Sequence, residues 1–221
     1  SQVHDVRELR EIERREVQQV LLGSFNRIVK DVKRYPMRDI APQVRRPVHV
    51  DLESLYPELG VRSFGKGTFH KPALTGFELG AKRVFYIEPG DLIFSNVFAW
   101  EGAIAVAKPS DKGRVGSHRY ITCVPKAQLA TAEFLRYYFL TSEGIELIRA
   151  ASPGGAGRNR TLGLASLDSI EVPLPSIETQ NWFDQLQLEA GQLIELHSEI
   201  AVEIDALVPA CLNSIFKPSQ N

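Results

Sequence analysis

The stretch "SIETQNWFDQLQLEAGQLIELHSEIAVEIDALVPAC", residues 176–211, contains one hydrophobic rhythm and one sign of charge. Leu186, Ala190, Leu193, His197, Ile200, Ile204, Leu207 and Cys211 step by four and three alternately, the spacing of a heptad seam along a single helix. Ser176 stands where an N-cap is needed. A helix over 176–217 would span roughly 60 Å at ~1.5 Å per residue, and a helix of that length needs another to lie on. Leu186, Leu193, His197, Ile200, Ile204 and Leu207 are therefore candidate partner or dimer contacts. His197, alone and polar on the seam with no second histidine four residues on, reads as a register or partner residue rather than a metal ligand. Residues 177–207 carry seven Asp/Glu and no Lys/Arg, a charge of −7. Such a segment repels nucleic acid and suits a scaffold or protein-docking role.

Working back toward the N-terminus, the texture changes. From Met37 to Thr122 short β-rich runs ("VHVD", "KRVFYI", "DLIFSNVF", "AIAVA", "RYITCV") alternate with the turns "GKGT", "EPGD" and "KPSDKG". The helical pattern returns at 131–151, with Thr131 as N-cap and an apolar face of Phe134, Leu135, Tyr138, Phe139, Ile145 and Ile148. "LASLDSIEVPLP" reads as a short strand and a turn before the long helix. A first helix is expected from residue 3 to about 34, stopped by Tyr35-Pro36. Its end, "EVQQVLLGSFNRIVK" (16–30), aligns with "EIDALVPACLNSIFK" (203–217), with Glu16/Glu203, Asn26/Asn213, Ile28/Ile215 and Lys30/Lys217 identical. The expectation is an α+β chain: an N-terminal helix at 1–35, an irregular, mostly β domain with short helices at 36–175, and a long coiled-coil-forming helix at 176–217.

The totals narrow the function classes. The 221 residues have a net charge of −1 and no apolar run approaching the ~18 residues of a membrane span. The two cysteines, Cys123 and Cys211, form no C-x-x-C pair and fit a reducing cytoplasm. No P-loop, G-x-S-x-G, S-adenosylmethionine or nuclease motif is visible. Catalytic and metal residues are thus expected to be none.

The basic residues gather in glycine-bearing loops. Residues 62–119 hold nine Lys/Arg against five Asp/Glu, or +4. "GVRSFGKGTFHKP" (60–72) offers Arg62, Lys66, His70 and Lys71 among Phe64 and Phe69. "GRVGSHRY" (113–120) offers Arg114, His118 and Arg119, and "SPGGAGRNRTLG" (152–163) offers Arg158, Asn159 and Arg160 without any acid. Asn96 and Trp100 stand in "SNVFAWEGA" (95–103), where Trp100 reads as packing. Arginine presents a planar fork to phosphates and guanine edges, and glycine lets a backbone approach a groove. The basic residues named, with Asn96 and Asn159, are the candidate DNA contacts. The plainer alternatives are a mobile surface loop at 152–163 and a hairpin with its cations in water at 60–72.

The runs "VRSFGKGTFHKP", "IEPGDLIFSNVFAWEGAIAVA", "GRVGSHRYITCVP", "ATAEFLRYYFLTSEG" and "ASPGGAGRNRTLGLASLDSIEVPLPSIETQ" together resemble the specificity (S) subunit of type I restriction–modification systems. The resemblance covers about residues 36–216, one target recognition domain and its helical spacer. It implies a non-catalytic protein that binds double-stranded DNA and selects the target for methyltransferase (M) subunits and, through the complex, a restriction (R) subunit. S-adenosylmethionine, ATP and Mg2+ would be used by those partners, with no cofactor on this chain. A full-length member has two recognition domains, each reading half of a bipartite site. A chain with one domain is expected to be either a half-size subunit that forms a homodimer or part of a longer subunit. The rival expectations are the recognition part of a fused restriction–methylation enzyme, and a structural adaptor whose loops bind RNA or nothing.

Overall fold

The computed structural model describes residues 2–155 and 160–215, with the backbone alone at 2–10, 201 and 203–215. It divides into two compact units, a helical one of residues 1–30 and 182–221 and a mixed one of residues 31–181. The architecture is the α+β one that the sequence predicts.

In the helical unit, α1 (Gln2–Ile28) meets the long helix α7 (Ile177–Ile215). The boundary between the units falls inside α7, which Ser176 caps by accepting a hydrogen bond from Thr179 N at 3.3 Å. The buried rings of Phe25 and Phe183 lie 5.4 Å apart, and Glu13 hydrogen-bonds to His197, so the two helices run antiparallel. The heptad seam therefore finds a partner in α1. That cover is incomplete: Leu193 and Ile200 remain 43% and 45% exposed. Val17, Val20, Leu21, Leu186, Ala190 and Leu193 line an apolar groove edged by Glu13, Glu16 and Glu189. The side chains of Ile204 and Leu207 lie outside the described residues.

α1 ends at Ile28, earlier than the expected 34. Asp31 takes a left-handed φ of 57°, and the chain then extends as β1 (Arg34–Pro36). The cause is distant in sequence: β1 pairs antiparallel with β9 (Glu171–Pro173), and Leu174 N bonds Lys33 O. After β1 comes a single turn, α2 (Met37–Ile40), whose Met37 and Ile40 are fully buried.

The mixed unit holds two larger sheets. β2 (Leu55–Val61) and β3 (Thr68–Thr75) form a hairpin with a bulge between Pro57 and Leu59, where a proline is tolerated. They join β7 (Val115–Ser117) and β4 (Val84–Tyr86) in the order β3-β2-β7-β4, and α3 (Gly76–Leu79) follows the hairpin. The second sheet, order β6-β5-β8, is built from β5 (Leu92–Ser95), β6 (Ile104–Val106) and β8 (Tyr120–Cys123). Leu92, Ile93 and Phe94 are consecutive and fully buried, so β5 is covered on both faces. Phe139 of α4 (Ala132–Leu140) meets Phe94 edge-on at 5.2 Å. Thr131 caps α4 as predicted, Thr141 caps α5 (Ser142–Ala150), and α6 (Leu164–Asp168) precedes β9. Buried Gln180 ties the start of α7 down, donating to the carbonyls of Leu129 and Pro175 and accepting from Thr131 N.

Two sequence expectations need correction. "VHVD" forms no strand: Val48 and Val50 pack on the cluster of Tyr56, Leu79, Val84 and Val115 without a ladder. "LASLDSIEVPLP" holds the helix α6 before its strand, because Leu167 must reach the core. Cys123 is buried, and burial pushes its thiol up to about 12, which leaves it inert.

Candidate nucleic-acid interface

The basic loops meet on one short segment. β5 delivers the chain to Asn96, whose N–H donates to Arg119 O at 2.8 Å and whose carbonyl accepts from Leu162 N at 2.7 Å. The 3-10 turn Ala99–Glu101 follows. Its end holds the tip of the β2–β3 hairpin: Phe64 N donates to Glu101 O and Gly65 N to Gly102 O, both at 2.8 Å, and Ser63 Oγ donates to Glu101 Oε2 at 3.2 Å. Residues 96–102 therefore join the hairpin tip, the turn at 117–119 and the segment entering at Arg160. A side chain at Gly65 is disfavoured, since φ is +64° and a Cβ would lie 2.7 Å from the Leu140 side chain, which would have to shift.

Several of the expected cations reach solvent from this junction. Arg62 and Lys66 are exposed on the hairpin tip, with the Arg62 guanidinium 4.8 Å from the Phe69 ring and Lys66 Nζ 5.9 Å from the Phe64 ring. Lys71 also lies over Phe69, at 5.9 Å. Arg119 and His118 are exposed on the turn after β7. Arg160 sits 5.7 Å over Trp100, whose indole N–H is held by Val97 O at 2.8 Å. Such cation–aromatic pairs fix the heading of long side chains that would otherwise wander. Trp100 is thus partly packing, as the sequence suggests, and partly a platform for Arg160.

Other expected contacts have partners within the protein, His70 while its side chain remains 43% exposed. His70 Nε2 lies 2.8 Å from Asp111 Oδ1, and Thr68 Oγ1 and Lys108 N donate to Asp111 Oδ2 at 2.9 and 2.8 Å. Burial tends to raise the Asp111 carboxyl, but the hydrogen bonds from Lys108, His70 and Thr68 hold it below the usual carboxylate value. Arg114 donates to Glu58 O at 3.3 Å and braces β2. The Asn96 side chain has a buried Oδ1 with no hydrogen-bond partner among the described residues. Arg158 and Asn159 lie outside the described residues.

Beside the junction a cavity of about 440 Å³ is lined by Phe64, Trp100, Glu101, Gly102, Leu140, Ile145 and Arg149. Phe64 and Arg149 are not among the site residues that the sequence pattern points to. The signal for Phe64 was its place in "SFGKG", where two glycines mark a tip of left-handed backbone. For Arg149, on the last turn of α5, no local signal existed.

No family model and no curated protein matches the chain. Solved structures do. The crystal structure of the HsdS subunit from Thermoanaerobacter tengcongensis superposes with a TM-score of 0.59 at 18% identity, over 87% of this chain and 51% of that one. The chain has the HsdS fold. A structure describing complex assembly and conformational transition of the type I R-M system gives 0.63 at 17% identity, over 99% of this chain and 56% of that one. The chain spans about half the length of the HsdS-fold structures it matches.

Proposed function

We propose that this chain is a non-catalytic DNA-recognition module of the type I specificity kind, reading one half of a bipartite duplex target. The observation that carries the reading is the convergence of the basic loops on residues 96–102 within an HsdS fold. Phosphate contacts from the exposed cations fix position, and a few side chains read base edges in the major groove. Arg62, Lys66, Lys71, Arg119 and Arg160 are the readers or anchors that the geometry favours. Asn96, His70 and Arg114 hold the loops in place. The acid-edged apolar groove of the helical unit fits a basic amphipathic helix of a methyltransferase subunit. That partner would use S-adenosylmethionine, and a restriction subunit joining the complex would use ATP and Mg2+ in the cytoplasm. A homodimer through the same exposed seam is the route by which one recognition domain would serve a symmetric site. No helix among the described residues is long and apolar enough to cross a membrane.

The test is selection of random-sequence duplexes by the chain, with RNA as competitor. A short enriched motif, lost or relaxed in Arg160→Ala and Arg119→Ala, supports the reading. Each bidentate base contact removed should cost about 1–3 kcal/mol at its own position in the motif. Binding that prefers RNA, or that enriches no motif, sinks it and favours a structural adaptor. Co-expression with the methyltransferase subunit and mapping of methylated adenines then tests the partner.

A further inference from the structure

The hairpin tip has a feature that phosphate binding does not require. Phe64 is 74% exposed and stands at φ +61°, a left-handed backbone that an aromatic residue rarely adopts. A single exposed apolar side chain is ordinary. One that is also held in an unfavourable backbone conformation, on a pinned tip, points to use. The tip is closed by Arg62 N donating to Gly67 O at 3.0 Å, and it is docked through Phe64 N, Gly65 N and Ser63 Oγ onto Glu101 and Gly102. Lys66 accompanies the Phe64 ring, and Arg62 and Lys71 accompany Phe69 behind it. The result is a fixed apolar ring at the front of a set of cations.

Cations bring such a tip to the sugar–phosphate backbone, but a phenyl ring makes no hydrogen bond to a base edge. In the major groove the apolar group it can match is the C5-methyl of thymine, which none of the other three unmodified bases carries there. Resting on the DNA-recognition reading above, we propose that Phe64 is a specificity-determining residue that reads a thymine C5-methyl group. The ring packs against the methyl while Arg62, Lys66 and Lys71 hold the adjoining phosphates. No bond is made or broken.

Deoxyuridine differs from thymidine by that methyl alone, so it isolates the contact. Duplexes enriched by the chain from a random library are prepared in two forms, with dTTP or with dUTP, and titrated with wild type, Phe64→Ala and Phe64→Leu. Wild type should bind the uracil form about fourfold more weakly for each contacted thymine, the equivalent of ~0.8 kcal/mol per buried carbon. Phe64→Ala should bind the thymine form weakly and no longer distinguish the two. Phe64→Leu, still apolar, should keep part of the preference, and neither variant should alter the salt dependence. The proposal is overturned if wild type binds both forms equally, if the motif lacks a fixed thymine, or if Phe64→Ala keeps the full preference. It is also overturned if Phe64→Ala binds DNA as wild type does but fails to bind the methyltransferase subunit, which would assign the ring to a protein contact. Were Phe64→Ala to misfold, the wild-type comparison and Phe64→Leu still decide. Failure of the underlying reading looks different: wild type would enrich no duplex at all.

Discussion

Asp111 is buried, negatively charged and set among residues that otherwise collect cations. Its carboxylate accepts from Thr68, His70 and the backbone of Lys108, so it locks β3 to the turn that follows β6. The folded carboxyl lies below its ordinary value, so its contribution to stability is fully present above the unfolded value of about 3.9. That contribution is lost as pH falls through the lower, folded value. Asp111→Asn replaces an acceptor by a donor facing Thr68 or Lys108 and should cost about 1–3 kcal/mol near pH 7. In acid, below about pH 4, the gap between variant and wild type should narrow. Urea unfolding at both pH values checks this, and a gap that is equal at both would show that the charge is not what holds the hairpin. The same contacts give His70, a candidate DNA contact by sequence, a bracing role while its side chain stays at the surface. Its partner is 41 residues away.

At the level of elements, packing decides where sequence periodicity stops. Phe183 is fully buried against Phe25, and Phe183→Ala should destabilise the helical unit by about 3–5 kcal/mol. Circular dichroism during thermal unfolding should show an early loss of helix, and an unchanged profile would remove the α1–α7 pairing from the account. The seam itself was legible because heptad spacing repeats over many turns, but the spacing alone did not say which helix would lie on it. Four strands, Val84–Tyr86, Leu92–Ser95, Ile104–Val106 and Tyr120–Cys123, were legible because turn residues bracket each apolar run. The end of α1 was not, because residues 34–36 are drawn into extended form by residues 171–173, and no local signal announces a partner so far along the chain. α6 is too short to show a helical period. The loops of the site were legible from charge and glycine content. Which cations face outward was not, since Arg114 is turned inward by a carbonyl 56 residues away and Arg160 is held by the Trp100 ring.

Across the whole molecule, charge is partitioned along the chain: +4 over residues 62–119 and −7 over residues 177–207. A duplex bound by the loops releases counterions only where cations touch phosphate, with log K falling by about 0.9 per contact for each unit of log salt. Removing three exposed cations together, in Arg62→Ala/Lys66→Ala/Arg119→Ala, should flatten that slope by up to about 3. Neutralising the acidic helix, in Glu189→Gln/Glu195→Gln/Glu199→Gln, removes only long-range repulsion, which salt screens beyond ~10 Å. That variant should bind somewhat tighter at low salt and keep the wild-type slope. Titrations of both variants and wild type from low to physiological salt separate the two effects. If the helix variant shifted the slope as much as the loop variant does, DNA would be running along the helices, and the loops at residues 96–102 would lose their claim to be the reading surface. If only the loop variant shifts it, the acidic helix is left free for a protein partner, whose basic helix should bind it with an affinity that falls in the neutralised variant.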